Sequence, residues 1–301
     1  MLNIFFLTIL TVWLRPSKPA TLPVNNYPAF HYLLDQPDQV FKMPKALKEI
    51  SGLSLTADGQ QIAANNDEQG IIFLLNKETG HLEQEIDFLE KGDYEGIEIV
   101  GLDAYVVKSS GAIYRVSDYA SDKRKTKKSD TFLSKESDVE GLAYDLTNHR
   151  LLVACKGHAA GGKEAKQQKA VYGFDLDAGA ISPEPLFVLS LPDIRRFLEQ
   201  NNHSTALEKL LVFFSEDAKQ MGFSPSGIAL HPFTCDVYIL SSSGKMLLVC
   251  SPKGEILFLE KLKKSIHHQP EGICFDQDGA LFIANEGQDG PGKIYKFSYR
   301  N

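Results

Sequence analysis

The sequence predicts an all-β fold, a β-propeller of five four-stranded blades, on two observations. A short phrase ending in glycine recurs along the 301-residue chain, and each copy opens a series of strand-length apolar runs broken by turn residues. The phrase reads EISG at 49–52, DYEG at 93–96, DVEG at 138–141, SPSG at 224–227 and QPEG at 269–272. Its glycines, Gly52, Gly96, Gly141, Gly227 and Gly272, are 44, 45, 86 and 45 residues apart. Three nearly equal steps and one roughly double step describe a repeat with one insertion. Periods of roughly 20–50 residues mark architectures in which each unit buries its faces against its neighbours.

Within a unit the pattern is β. In the first, GLSL, QIAAN, IIFLLN and LEQEIDF are four short strands, with ADGQ and NKETG as turns. Runs rich in β-branched and aromatic residues between Gly, Asn and Asp are the strand-and-turn signature. The second unit supplies GIEIV, AYVVK and AIYRV, and the third GLAYD, LLVAC and VYGFDL. The fourth supplies GIALH, DVYILS, MLLVC and EILFLE, and the fifth GICFD, ALFIAN and KIYKFSY. Four antiparallel strands per unit make a propeller blade. The fifth unit has no fourth strand, whereas DQVFKMP at 38–44 is strand-like and stands before the first unit. It is predicted to close the ring as the missing outer strand.

A sixth blade would have to hide in the 86-residue interval. Much of that interval is helical instead: LPDIRRFLEQNN and STALEKLLVFFSEDAKQMG carry apolar residues at helical spacing, with Pro192 and Ser204 as starts. This insertion, about 192–223, is expected on the rim or over one end. A second insertion, KGHAAGGKEAKQQKA at 156–170, separates two strands of the third blade.

Composition narrows the function classes. A net charge of −7 argues against nucleic-acid binding, which needs a basic footprint. The one basic run, DKRKTKKSD at 122–130, reads as a solvated hairpin tip. Cys155, Cys235, Cys250 and Cys274 form no CxxC pair, which excludes a zinc ribbon and leaves a disulfide open. The start, MLNIFFLTILTVWLRPSKPA, has an apolar run over 2–14 that is short for a membrane span of roughly 20 residues. It fits the apolar part of a signal peptide, without a basic leader or a clean small-residue cleavage site. Residues 1–20 are read as a cleaved signal or an N-terminal membrane anchor, 21–44 as linker and ring-closing strand, and 45–301 as the propeller. A monomer outside the cytoplasm, in the cell envelope or periplasm, is expected.

Propeller geometry gives the repeated phrase a place. The first strand of each blade lines the central channel, so residues entering that strand converge at one mouth. The turn after the second strand returns to the same end. One mouth should therefore collect Glu95, Glu140 and Glu271 with Asp67, Asn66, Asn285, Glu286, Lys108 and Lys156, with Asn65 nearby and His267 and His268 overhanging. Three readings fit this polar ring. The glutamates could stitch blades together, with the glycines allowing close backbone approach. Glu95, Glu140 and Glu271 could hold Ca2+, which takes about 6–8 oxygen ligands, although the two lysines would compete. The ring could also be a catalytic or ligand-binding site. No GxSxG, HExxH, phosphate-binding or dinucleotide-binding motif specifies a reaction.

The phrases ISGLSL, YEGIEI, VEGLAYD, SGIALHP and QPEGICFDQDGALFIANEG resemble the SdiA-regulated family of bacterial propeller proteins, distantly similar to NHL-repeat and phytase-like propellers. The resemblance covers about 45–300. It implies a propeller in the bacterial envelope, often behind an N-terminal membrane segment. Related propellers include calcium-dependent lactonases and phytases with metal in or around the channel. The expectation is a ligand-binding or protein-interaction module working through the channel mouth. The alternative is a calcium-dependent hydrolase of a lactone, phosphate or other ester at the same site.

Overall fold

The computed structural model describes residues 30–157, 166–201, 210–215 and 221–300. The expected signal or anchor at 1–20 lies outside them. Among the described residues no helix is long and apolar enough to cross a membrane.

One strand, β1 (Gln39–Lys42), precedes the first repeat. Blade 1 is β2 (Ile50–Leu55), β3 (Gln61–Asn66), β4 (Ile71–Asn76) and β5 (Leu82–Asp87), paired in that order. Blade 2 is β6 (Tyr94–Val100), β7 (Asp103–Lys108), β8 (Ile113–Ser117) and β9 (Lys125–Ser129). Blade 3 is β10 (Val139–Asp145), β11 (Arg150–Cys155) and β12 (Gln168–Asp175), with an outer edge shared by β13 (Ala180–Ile181) and β14 (Phe187–Ser190). The helix α1 (Leu191–Gln200) follows. Blade 4 is β15 (Ser224–Leu230), β16 (Val237–Ser243), β17 (Met246–Cys250) and β18 (Ile256–Lys261). Blade 5 is β19 (Pro270–Phe275), β20 (Leu281–Asn285) and β21 (Lys293–Phe297), completed by β1. The five-bladed ring and its N-terminal closing strand are as the repeat predicts.

Each interface between neighbouring blades has its own apolar cluster. Between blades 5 and 1, for example, Ile50, Leu53, Phe73, Phe282 and Ile294 interlock. This is why the strands read as near-continuous apolar runs: both faces of every sheet are buried against another sheet. Closure adds a specific contact. Phe41 of β1 lies over Gly80 in the β4–β5 turn, where a Cβ would stand 2.4 Å from the Phe41 Cβ. The closing strand thus pins blade 5 to blade 1. Phe41→Ala is expected to cost about 3 kcal/mol, as truncation of a buried Phe does, read as a lower urea midpoint at unchanged slope.

Two details depart from the sequence reading. The basic run is a hairpin tip only at its start: 122–124 lie in the β8–β9 turn, whereas Lys125–Ser129 forms β9, the outer strand of blade 2, paired with Ile113–Ser117. Lysines on an outer edge discourage edge-to-edge association. The outer strand of blade 3 is split, because Pro183 and Pro185 interrupt the stretch between β13 and β14. The insertion packs on the rim, where Leu191, Ile194 and Leu198 of α1 join Leu210 and Phe214 against blades 3 and 4. Ser190 caps α1 by accepting the Asp193 N–H. Residues 204–209 and 216–220 of the expected second helix lie outside the described residues.

The segment just before β1 also docks, which the sequence reading missed. Phe30 stacks on Phe258 at 4.1 Å. Tyr32 donates its hydroxyl to Gly279 O at 2.7 Å and lies 2.9 Å from His231 Nε2. His267 Nε2 donates to Leu34 O at 2.9 Å. The run FHYLL therefore clasps blades 4 and 5. No disulfide reinforces the ring: all four cysteines are free thiols, with Cys155, Cys250 and Cys274 buried.

Candidate functional site

The phrase that opens each repeat is a β-bulge. In all five blades the register between first and second strands slips at the phrase: between Ile50 and Leu53, Tyr94 and Gly96, Val139 and Gly141, Pro225 and Gly227, and Pro270 and Ile273. A bulge leaves one residue without a cross-strand partner and re-aims its side chain. The residue displaced ahead of the glycine is Ser51, Glu95, Glu140, Ser226 or Glu271 in turn, and in blades 1 and 5 the glycine is out of register as well. The glycine that follows meets the next blade. A Cβ on Gly227 would lie 2.1 Å from Glu271 O, and one on Gly272 2.3 Å from Ser51 O. Gly52, Gly96 and Gly141 face blades 2, 3 and 4 in the same way. The five glycines bring the inner strands so close that the constriction encloses about 10 Å³. That is room for about one water.

The serines and the glutamates behave differently. Ser51 donates its hydroxyl to Glu95 O, and Ser226 to Pro270 O, each at 2.7 Å. Both are stitches to the next blade. Asn65 adds another, with its Oδ1 accepting from Gly52 N and its amide donating to Tyr94 O. The glutamates have few such bonds. Ser51 reaches Glu95 Oε2 at 3.2 Å, and Lys156 reaches Glu140 Oε1 at 2.8 Å. Glu271, 5% exposed, has no partner on Oε2.

Burial and mutual repulsion push these carboxyls far from the ordinary range. Glu95 rises to about 9 through burial and the charges of Glu140 and Asp93. Glu140 is raised by burial and Glu271, against the pull of Lys156. Glu271 rises to about 8 through burial and the charges of Glu286 and Glu95. Glu286 rises to about 7 through burial, Glu49 and Asp67. Asp67 is raised by burial, Glu68 and Glu49. Lys156 is pushed up by Glu140, Asp138 and Glu271, against its own burial.

The structure gathers some predicted mouth residues and diverts others. Glu95, Glu140, Glu271, Glu286, Asp67 and Lys156 form one electrostatic group. Asn285 is buried beside them with neither side-chain polar atom partnered by protein. Asn66 turns away, donating to Ala46 O and accepting from Gln69 N. Lys108 sits over the Tyr94 ring, 4.7 Å from its centroid. His267 does not overhang the mouth. It is fully buried against Phe297, and burial, with the neighbouring His268, lowers it to about 4. Glu98 went unnoticed in the sequence, although Ser51/Ser54 and Glu95/Glu98 repeat one spacing. It accepts from Ser54 at 2.8 Å, and burial pushes it to about 8.

The donor set was compared with what a metal needs. Calcium takes about 6–8 oxygens in one shell. Among the described residues no three His, Cys, Asp or Glu side chains are grouped to hold a metal ion. Lys156 also occupies one oxygen of Glu140. As placed, the glutamates do not make a calcium shell.

No family model and no curated protein sequence matches the chain. Solved structures match its fold. The glutaminyl cyclase of Myxococcus xanthus aligns over 88% of this chain and 96% of its own, with TM-score 0.55 and 12% identity. A luciferin-regenerating enzyme aligns over 87% and 95% at TM-score 0.49 and 11% identity. The aldose sugar dehydrogenase of Streptomyces coelicolor, in its PQQ-bound form, aligns over 87% and 99% at 0.47 and 12%. At such identities the likeness is one of fold.

Proposed function

We propose that this propeller is a ligand-binding module whose ligand brings positive charge to the mouth formed by Glu95, Glu140 and Glu271. One observation carries the reading. Three carboxyls from three separate blades are held in mutual repulsion, while the matching positions in the other two blades are serines that stitch backbone. A structural stitch needs only the serine. Glutamates raised this far lower stability at neutral pH, and groups so perturbed cluster at functional sites. The constriction beneath them holds about one water-sized species, so the ligand stops at the mouth rather than threading the ring.

The charge balance gives the test. At pH 7 most of Glu95 and Glu271 is protonated, so a cation must displace protons. Affinity for a cationic probe should therefore strengthen as pH rises from 7 to 9, and the heat should vary with buffer ionisation enthalpy. The probes are Ca2+, Mg2+, methylammonium and a short diamine, titrated by calorimetry. Affinity independent of pH, or unchanged in Glu95→Gln, contradicts the reading. The second reading, a calcium-dependent ester hydrolase, would find room for a substrate in the larger cavity beside the mouth, but it requires the glutamates to rearrange into a calcium shell that they do not form as placed. Stoichiometric calcium in the purified protein, lost with a chelator, would favour it over the module. The apolar run at 2–14 supports a place in the cell envelope for either reading.

A further inference from the structure

Beside the mouth, under the loop that joins β20 to β21, lies a cavity of about 210 Å³. It is larger than the ~150 Å³ cavity that admits benzene and smaller than the roughly 300–1,000 Å³ pockets of drug-sized ligands. A molecule of amino-acid size matches it. The walls are preformed. Gly287 folds the loop onto itself, since a Cβ there would stand 2.2 Å from Gly290 O. Glu286 and Gly287 donate their N–H groups to Gln269 O and Lys48 O at 3.1 and 2.9 Å.

The polar side chains of the lining are His268, Asn285, Glu286, Gln288, Asp289 and Lys293, and three of them are of different kinds and carry the recognition. Asn285 is 2% exposed, yet neither its Nδ2 nor its Oδ1 has a protein partner. A buried amide left without hydrogen bonds is costly, so this one points to a ligand that offers both a donor and an acceptor. Lys293 is directly opposite Asn285 across the β20–β21 ladder, where side chains stand about 5 Å apart at Cβ. Among the described residues it makes no ion pair. Glu286 presents a carboxylate that Gln269 orients. Ile266, Pro291 and Tyr295 supply apolar wall.

We propose that this cavity binds a small zwitterion of the α-amino-acid class, with its carboxylate at Lys293, its ammonium at Glu286 and a hydrogen-bonding group on Asn285. The inference deepens the ligand-binding reading, because Asn285 and Glu286 belong to both the cavity and the edge of the mouth. It names the class of the ligand: a separated positive and negative charge on a body of about ten heavy atoms.

The test is calorimetric titration of the full chain with the free amino acids, beside two single-charge probes, an aliphatic amine and an aliphatic carboxylate of equal length. At least one amino acid should bind ten-fold or more tightly than either single-charge probe. Asn285→Ala removes a side chain without protein hydrogen bonds, so it should leave the melting temperature within a few degrees while weakening that binding ten-fold or more. Lys293→Gln should erase the preference over the amine, and Glu286→Gln the preference over the carboxylate. If no amino acid binds at 10 mM, or if Asn285→Ala binds as well as wild type, the inference is overturned. Its failure is separable from that of the mouth reading, because cation binding at the mouth is scored with Glu95→Gln, a residue outside this cavity. Amino-acid binding lost while cation binding persists overturns the inference alone.

Discussion

Gly227→Ala is expected to cost more than about 3 kcal/mol and to prevent the ring from closing as it does in wild type. The new methyl would sit 2.1 Å from the Glu271 carbonyl oxygen. That oxygen belongs to the backbone of blade 5, so a side chain cannot swing aside and two blades must part. Overpacking of a well-packed contact typically costs about 1–3 kcal/mol, and more where backbone must move. The backbone conformation of Gly227 is not the cause, because its φ is not in the left-handed region. Gly290→Ala is the matched control, since its Cβ meets nothing within 4 Å and its φ is also ordinary. Chemical denaturation of both variants checks the result. The substitution should also disturb the mouth, because the atom it strikes belongs to the bulge that aims Glu271.

The second large effect is an unusual dependence of stability on pH. A carboxyl whose folded pKa lies above its unfolded value binds more protons in the folded state across the window between the two. Its contribution to stability is therefore complete below the unfolded pKa and lost as pH rises through the folded pKa. For Glu271 that window runs from 4.5 to about 8. Glu95 and Glu98 act in the same direction. His231 and His267 act oppositely. Burial lowers each to about 4, so their contribution is present above the unfolded value of 6.5 and lost as pH falls. His231 is further fixed in its neutral form, with Nδ1 accepting from Phe233 and Thr234 N–H groups. Between pH 6.5 and 8 the remaining titration of the unfolded histidines fades, and the more numerous buried carboxyls outweigh it. Unfolding free energy should fall across that interval, at about 1 kcal/mol per pH unit for each fully coupled buried carboxyl. Glu271→Gln should make the fall shallower. A profile that is flat or rising from pH 6.5 to 8 would contradict the assigned protonation.

The two levels of the molecule differ in how much the sequence reveals. The ring is written into it because the constraint repeats: five inner strands meet at one axis, and the close approach demands glycine at each 45-residue step. The missing fourth strand of the last unit and the spare strand before the first are two halves of one requirement. The mouth is legible only in outline. Spacing places Glu95, Glu140 and Glu271 at one end, but the bulge that turns them inward is a property of pairing, which single-chain patterning does not show. Turn residues are less legible still. Asn66 and Lys108 occupy the same relative position as Asn285, yet one caps the β3–β4 turn and the other lies on Tyr94, because each answers to its own neighbours. The clasp at 30–34 was hidden for a related reason. Its aromatic residues have no period of their own and gain meaning only from the blades they meet.

These observations converge on Glu271. Its carboxyl sits on the bulge of blade 5, touches the glycine ring through its own backbone, and has one oxygen without a protein partner. If the mouth exists to receive positive charge, this glutamate burdens the folded state and serves the ligand. The direct measurement is the unfolding free energy of Glu271→Gln at pH 8, taken beside its affinity for the cationic probes. The account predicts a variant more stable than wild type that binds the probes at least ten-fold more weakly. A variant less stable than wild type with unchanged probe affinity would make the glutamate a stitch between blades and contradict the account.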